Sequence, residues 1–475
     1  MARSLASCVY VGLIVWFLYR NSKTNGESSN ALWLPFLWLG IMASKNLACW
    51  MPGGYGSADT SNALEGSPTD RNASFAMILA GGVILLRRPI DWAVLLKQQR
   101  WIWVLETYLL ISVIWSDFPF VSLKRWFKDF GNIVMILIIV TDKQPLKAVQ
   151  RVLSVCPYVL VPLSVLYVKY YPDIGRYYDP WLGTAFYCGA TSNKNSLGVV
   201  SMLSGLFLLW RLAERRSHPA SRERTVTMLV DALLLCVCVW LLVIARSATA
   251  GACFGIGAAV FIASYFRWVK GNLRRLSWYA GGLILLSLLF LVVPDLRKLV
   301  VGSLGRDVTL TDRTLIWETV LNSKTNPLIG TGFSSYWLRD DALRLSQNWA
   351  LTEAHNGYLE TYLNSGLIGV ALVFAVLVSA GKNAINELSG NTSLGHLYLA
   401  LFLSGLIYNY TEATFNVNHS IGFCLWLIAA RYGQPAACSE SGWERGSEAA
   451  TEGSSEPHGW YQMAPVLSPP RETNA

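Results

Sequence analysis

The chemistry-bearing residues of this chain are few enough to weigh one at a time, beginning with five histidines in 475 residues. His355 lies in TEAHNGYLETYLNSGLIGVAL (352–372), between Glu353 and Glu360 and just ahead of an apolar run that opens near Gly366. Histidine titrates near neutral pH and can take a proton from a hydroxyl. A polar spacer at a helix end is the plain alternative. His419, in EATFNVNHSIG (412–422), sits on another turn between apolar runs, either near His355 or remote from it. His218, His396 and His458 fall in basic, helix-start or low-complexity stretches on the opposite side and are set aside.

Four cations join His355 as candidates. Arg246, in VIARSATAG (243–251), separates two apolar runs. Arginine near a hydrocarbon boundary is costly unless it snorkels or faces a cavity. GRDVTLTDRTLIW (305–317) holds Arg306 and Arg313. Asp312 suits the N-cap of the helical pattern that follows. Arg313 then falls in the first turn, where the helix dipole favours anions, and that conflict points to a separate task for it. In GATSNKNSLG (189–198), Lys194 stands between two asparagines at a helix start. Such a start binds anions or merely caps the helix beside a snorkelling lysine. Guanidinium forks suit phosphate or pyrophosphate. The external loops contain no Walker loop, no HExxH and no paired Asp-x-Asp. The expected chemistry is metal-independent transfer to an alcohol from a phosphorylated leaving group, with no cofactor.

The elements that must position these residues are membrane helices. The chain is 53% hydrophobic and 15% charged, with 20 Trp and 21 Tyr, against about 25% charged residues in soluble domains. Apolar runs near the ~20 residues that cross a bilayer recur along it, with aromatic rings at their ends. The expected fold is all-α, a polytopic transmembrane bundle of about 12–13 spans. They run approximately over 5–19, 31–49, 72–86, 101–115, 130–141, 152–168, 195–211, 227–245, 249–266 and 278–294, then 366–380, 396–411 and 418–432. The segment 116–130 suits an amphipathic interfacial helix instead. A β-barrel would alternate in segments of about ten residues. Residues 5–19 read as a first span rather than a cleaved signal. The nine cysteines lack metal-ligand spacing and read as packing residues.

The net charge of +9 comes mostly from short loops, so it speaks for orientation and not for nucleic acid. One set of alternating loops carries about twice the Lys and Arg of the other and should be cytoplasmic. Residues 1–294 then form N-terminal spans and 295–365 a large external loop that holds Arg306, Arg313 and His355. Residues 366–432 form the last spans, and 433–475 a disordered cytoplasmic tail. A connection of about 70 residues is long enough to be functional or disordered. Here DRTLIWETVLNS (312–323) places Leu315, Ile316, Thr319 and Val320 on one helical face, and NPLIGTGFSSYW (326–337) follows as a Pro/Gly turn with aromatics. A small helical cap over the mouth of the bundle is expected.

The order of these pieces resembles the O-antigen ligase and polymerase superfamily, in particular its exopolysaccharide-polymerase branch. The resemblance rests on Arg-Ser at a span boundary, GRDVTLTDRTLIW, NPLIGTGFSSYW, and HNGYLE followed by GLIG. LEGSPTDR (64–71), WSDFPFVSLKRW (115–126), YYPDIGRYYDPW (170–181) and NKNSLG (193–198) extend it over roughly 60–432. It implies a glycosyltransferase on the outer face of the bacterial inner membrane. Its donor would be a glycan on undecaprenyl pyrophosphate and its acceptor another glycan. The resemblance implies His355 as base and Arg246 and Arg313 as pyrophosphate ligands, with Arg306 and Lys194 as weaker additions. Relatives often read His-Lys-Asn where this chain has Asn193-Lys194-Asn195, which departs from a basic ring there. Ligation to lipid A core or to a protein hydroxyl keeps the same chemistry. A transporter of lipid-linked sugars would need midplane charges and related halves, and neither is evident.

Overall fold

The computed structural model describes residues 2–24, 29–51, 67–178, 183–217, 219–272, 275, 282, 313–340, 342, 353–390, 392–415 and 419–431. The chain divides into two compact units, Met1–Tyr432 and Gly433–Ala475, and all described residues belong to the first. The expected span 278–294, the first part of the large loop and the expected tail lie outside the described residues.

The fold is all-α and polytopic. Its helices are α1 (Ala2–Thr24), α2 (Trp33–Met42), α3 (Pro68–Arg87), α4 (Trp92–Gln98), α5 (Arg100–Ile111), α6 (Pro119–Val140), α7 (Pro145–Leu153) and α8 (Val161–Tyr170). After a two-stranded hairpin come α9 (Lys194–Arg216), α10 (Arg222–Ala245), α11 (Ala248–Ala263), α12 (Arg313–Leu321), α13 (Gly357–Ser389), α14 (Ser393–Thr411) and α15 (Ser420–Ala429). The hairpin pairs Arg176 with Tyr187, Tyr177 with Phe186 and Tyr178 with Ala185, antiparallel.

Helix α9 is apolar nearly all round, as a helix inside a bundle must be. It packs on α10, α11 and α14, while α13 packs on α5, α14 and α15. The outward faces are apolar too: Leu5, Val9, Val15, Leu229, Leu233 and Val243 are exposed. Exposed aliphatic stripes around a packed interior are what a lipid-facing surface requires.

Among the described residues, five helical stretches are long and apolar enough to cross a membrane: Ala2–Tyr19, Pro145–Tyr170, Lys194–Arg216, Arg222–Ala245 and Gly357–Ser389. A sixth is Pro68–Arg87 with Trp92–Gln98, if their bend of 119° lies within one span. The other expected spans among the described residues fall on helices that are shorter, such as Ala248–Ala263, or charged, so the structure supports five or six spans against the 12–13 expected. Helix α6 is the charged case and differs from expectation. Residues 116–130 form no separate surface helix, because α6 runs unbroken from Pro119 at its first turn to Val140. Gly131 does not break it; a Cβ there would lie 2.6 Å from the Trp38 ring, so glycine serves close packing.

Within the bundle Asp231, fully buried, faces Arg215 at 3.2 Å and Arg211 at 3.5 Å, and accepts a hydrogen bond from the Tyr158 hydroxyl. Removing one partner strands a buried charge, which costs about 3–5 kcal/mol. Asp231→Ala should therefore lower the thermal unfolding midpoint of the protein in detergent; an unchanged midpoint would show the cluster to be dispensable.

Candidate active site at the His355 turn

Helix α13 explains the HNGYLE and GLIG stretches. Asn356, fully buried, caps it: Oδ1 accepts from Tyr358 N and Leu359 N, both at 3.0 Å, and Nδ2 donates to Tyr410 O. The helix starts at Gly357, not at 366, and Gly366 is a break inside it (φ 63°, ψ −169°). The Pro/Gly turn fits that break. Thr331 N and Gly332 N donate to Leu363 O and Asn364 O, and Leu367 N donates to Pro327 O. A Cβ on Gly366 would lie 2.2 Å from Leu328 backbone, and one on Gly330 2.5 Å from Asn364 and Ser365 backbone. Positive φ and absent space together demand glycine.

Above this lies a second apolar cluster with Ile316, Trp317, Val320, Tyr336, Ala354, Leu359 and Leu363 buried in it. It is built around α12, the helix that the 312–323 pattern predicts. Glu360 is structural: its carboxylate accepts from Trp337 Nε1, Ala354 N and Asn364 Nδ2 at 2.9–3.1 Å. Trp317 Nε1 donates to Ala354 O at 2.9 Å. Both contacts pin the residue just before His355.

His355 itself has φ +50°, a left-handed conformation that costs a non-glycine residue of order 1–3 kcal/mol and tends to persist at functional sites. Its Nδ1–H donates to Glu353 Oε1 at 3.0 Å and Glu412 Oε2 at 3.2 Å. Glu412 Oε1 also accepts from Asn195 Nδ2 at 3.0 Å. Hydrogen bonds to Glu353 and then Glu412 raise the imidazole from 6.5 to about 9, against partial burial that lowers it. That grip stabilises the fold fully below about pH 6.5 and fades as pH rises through about 9. With Nδ1 committed as donor, a neutral ring presents Nε2 as proton acceptor, the orientation that carboxylate–histidine pairs enforce.

Arg246 is exposed and ends α10 in the left-handed region (φ 50°, ψ 33°). Among the described residues, three non-glycines have positive φ: Arg246, His355 and Ser334. Two of them are candidates on chemical grounds. The Arg246 turn is held close to the His355 neighbourhood. Thr411 Oγ1 donates to Thr249 Oγ1 at 3.2 Å, one residue before Glu412. A Cβ on Gly198, in the turn after Asn195, would lie 2.8 Å from Ala250. Lys194 enters less directly: Asn193 Oδ1 caps α9 through Ser196 N, and the Lys194 ammonium sits 4.3 Å over the Phe186 ring. Asn195, not Lys194, reaches Glu412. Arg313 opens α12 one helical turn before Trp317, which places its backbone near the His355 turn. Arg306 lies outside the described residues. His419 caps α15, its Nδ1 accepting from Ile421 N at 3.2 Å, so its role is local.

Glu353, His355 and Glu412 offer ligand atoms within 4.8 Å of one another. One imidazole nitrogen and two carboxylates could hold a divalent cation of the zinc or manganese type, in competition with the Nδ1 proton. Sequence reasoning missed Glu412 and Asn195. Glu412 is 57 residues from His355 and its polar surroundings resemble any loop, so periodicity gives no hint of the pairing.

A family profile described as O-antigen ligase matches residues 231–374, a segment that contains Arg246, Arg306, Arg313 and His355. The exopolysaccharide production protein ExoQ of Rhizobium meliloti (strain 1021) is 26% identical over 295 residues, which is 59% of this chain and 64% of that protein's length. The match thus spans less than two thirds of the relative. The profile match over residues 231–374, the similarity to ExoQ and the order of the motifs around the His355 turn agree, and all three make the chain similar to the O-antigen ligase and polymerase superfamily.

Proposed function

We propose that this multi-pass membrane protein is a glycosyltransferase of exopolysaccharide or O-antigen biosynthesis. It transfers or polymerises oligosaccharide units from an undecaprenyl-pyrophosphate donor onto a sugar hydroxyl, at the periplasmic face of the inner membrane. The observation that carries this reading is His355, fixed through Nδ1 by two carboxylates beside the turn that presents Arg246.

In this reaction Nε2 of His355 accepts the proton of the acceptor hydroxyl. The oxygen forms a bond to the anomeric carbon as the bond from that carbon to the pyrophosphate oxygen breaks, with inversion. Arg246 and Arg313 neutralise the charge that develops on the departing lipid pyrophosphate, with Arg306 and Lys194 adding to the positive field. Pyrophosphate leaves readily, so the step needs no general acid and no metal. A second reading draws on the same two carboxylates: at neutral pH they hold the ring mostly as imidazolium, which would steady the pyrophosphate and leave proton removal to a carboxylate.

The test uses purified protein in detergent with an undecaprenyl-pyrophosphate-linked oligosaccharide, with and without EDTA. Lengthened glycan and released lipid pyrophosphate in both arms are expected. Activity abolished by EDTA and restored by a divalent cation would make the Glu353–His355–Glu412 cluster a metal site. Donor bound but never consumed would favour transport, or ligation lacking its acceptor.

A further inference from the structure

Two stretches singled out by the sequence have no part in the proposed reaction: LEGSPTDR and WSDFPFVSLKRW. Both line a cavity of about 550 Å³ between α3 and α6. Phe75, Ile78, Val121, Leu123 and Phe127 supply its apolar lining, and Arg71, Lys124, Arg125 and Lys128 add four cations. Asp70, the one carboxylate among the described lining residues, is already engaged: Oδ1 accepts from Leu47 N at 2.6 Å and Ala48 N at 3.3 Å. A net positive lining therefore faces whatever enters. Phe75 is 50% exposed and Leu123 42%, so the groove opens at the lipid-facing side of the bundle. No residue of the His355 cluster lines it.

An apolar slot with a cationic excess, open toward lipid, matches an amphiphile with an anionic head. We propose that this groove binds an anionic glycerophospholipid of the surrounding bilayer, its phosphate on the Arg71, Lys124 and Lys128 cations and the upper part of an acyl chain along the phenylalanines. The volume lies within the roughly 300–1,000 Å³ of small-ligand sites, room for a headgroup and the upper part of a chain. Basic clusters beside a hydrophobic surface attract anionic lipids in this way. Arg125 extends the consequence, because its Nη1 donates to Ser334 O at 2.6 Å. Ser334 is the third residue with strained backbone (φ 52°), in the segment that seals the Gly366 break. A lipid held here tethers that segment to the membrane.

Native mass spectrometry of the full chain released from nanodiscs tests this, with phosphatidylglycerol and phosphatidylcholine of the same acyl chains in equal parts. The protein should retain phosphatidylglycerol preferentially. A Lys124→Gln/Lys128→Gln double variant should lose that preference roughly tenfold or more. Ser74→Trp should lose it with every charge in place, because the indole fills the slot. Equal retention of the two lipids by wild type, or a preference that survives in both variants, would overturn the proposal. Displacement of phosphatidylglycerol by undecaprenyl phosphate at equal concentration would overturn the choice of occupant and assign the groove to a polyprenyl lipid.

Discussion

Replacing His355 with asparagine is expected to lower the rate of glycan transfer by about 10²–10⁴-fold, the usual worth of a positioned general base. Asparagine is the right substitution because it tolerates φ > 0 better than most residues. It can also donate a hydrogen bond toward Glu353 or Glu412, yet it cannot take up a proton. The side chain is 30% exposed, so little packing is lost; the pairing with Glu353 and Glu412 goes with the imidazolium, so the thermal midpoint should fall at pH 7 and approach the wild-type value near pH 10. Donor affinity should be nearly unchanged, because the loss falls on kcat. Full activity in His355→Asn would make the histidine a spacer at the start of α13.

The second large effect concerns Arg246. Its left-handed backbone suits glycine, so Arg246→Gly should keep or raise stability. The guanidinium goes, and with it a group placed to neutralise the leaving pyrophosphate. Loss of one such electrostatic contact costs about 10²–10³ in kcat. Arg246→Lys should recover only part, since an ammonium lacks the bidentate fork. Equal kcat in wild type and Arg246→Gly would remove the arginine from the reaction. Stability and turnover moving in opposite directions would mark its strained conformation as functional.

Much of this architecture was legible in the sequence, for reasons that differ from element to element. Apolar runs with aromatic ends announce membrane helices because the bilayer leaves few alternatives. Helix α12 was legible from Ile316 and Val320 at helical spacing, and both are buried. The start of α13 was not. Its first residues, Gly357 to Ser365, are polar enough to read as loop, and their helix depends on the Asn356 cap and on the turn bonded at Gly366. Helix α6 was divided in two because its cations interrupt the apolar pattern; in the fold Lys124, Arg125 and Lys128 line one groove. Within the site, His355 and Arg246 stood out because ionisable residues at span ends are uncommon. Glu412 and Asn195 did not, since a long-range contact between two ordinary polar residues leaves no local pattern.

The central claim is that His355 is a base whose proton affinity is set by Glu353 and Glu412, and the pH dependence of kcat/KM reads it most directly. The measurement compares wild type with Glu412→Gln from about pH 6 to about pH 10. A base must be deprotonated to act, so wild-type kcat/KM should climb with pH, close to tenfold per unit, and level off near the imidazole's value of about 9. Glu412→Gln removes one negative charge, so its plateau should begin at lower pH. A wild-type rate that is flat or falls across this range would contradict the claim and make His355 an imidazolium that holds the pyrophosphate.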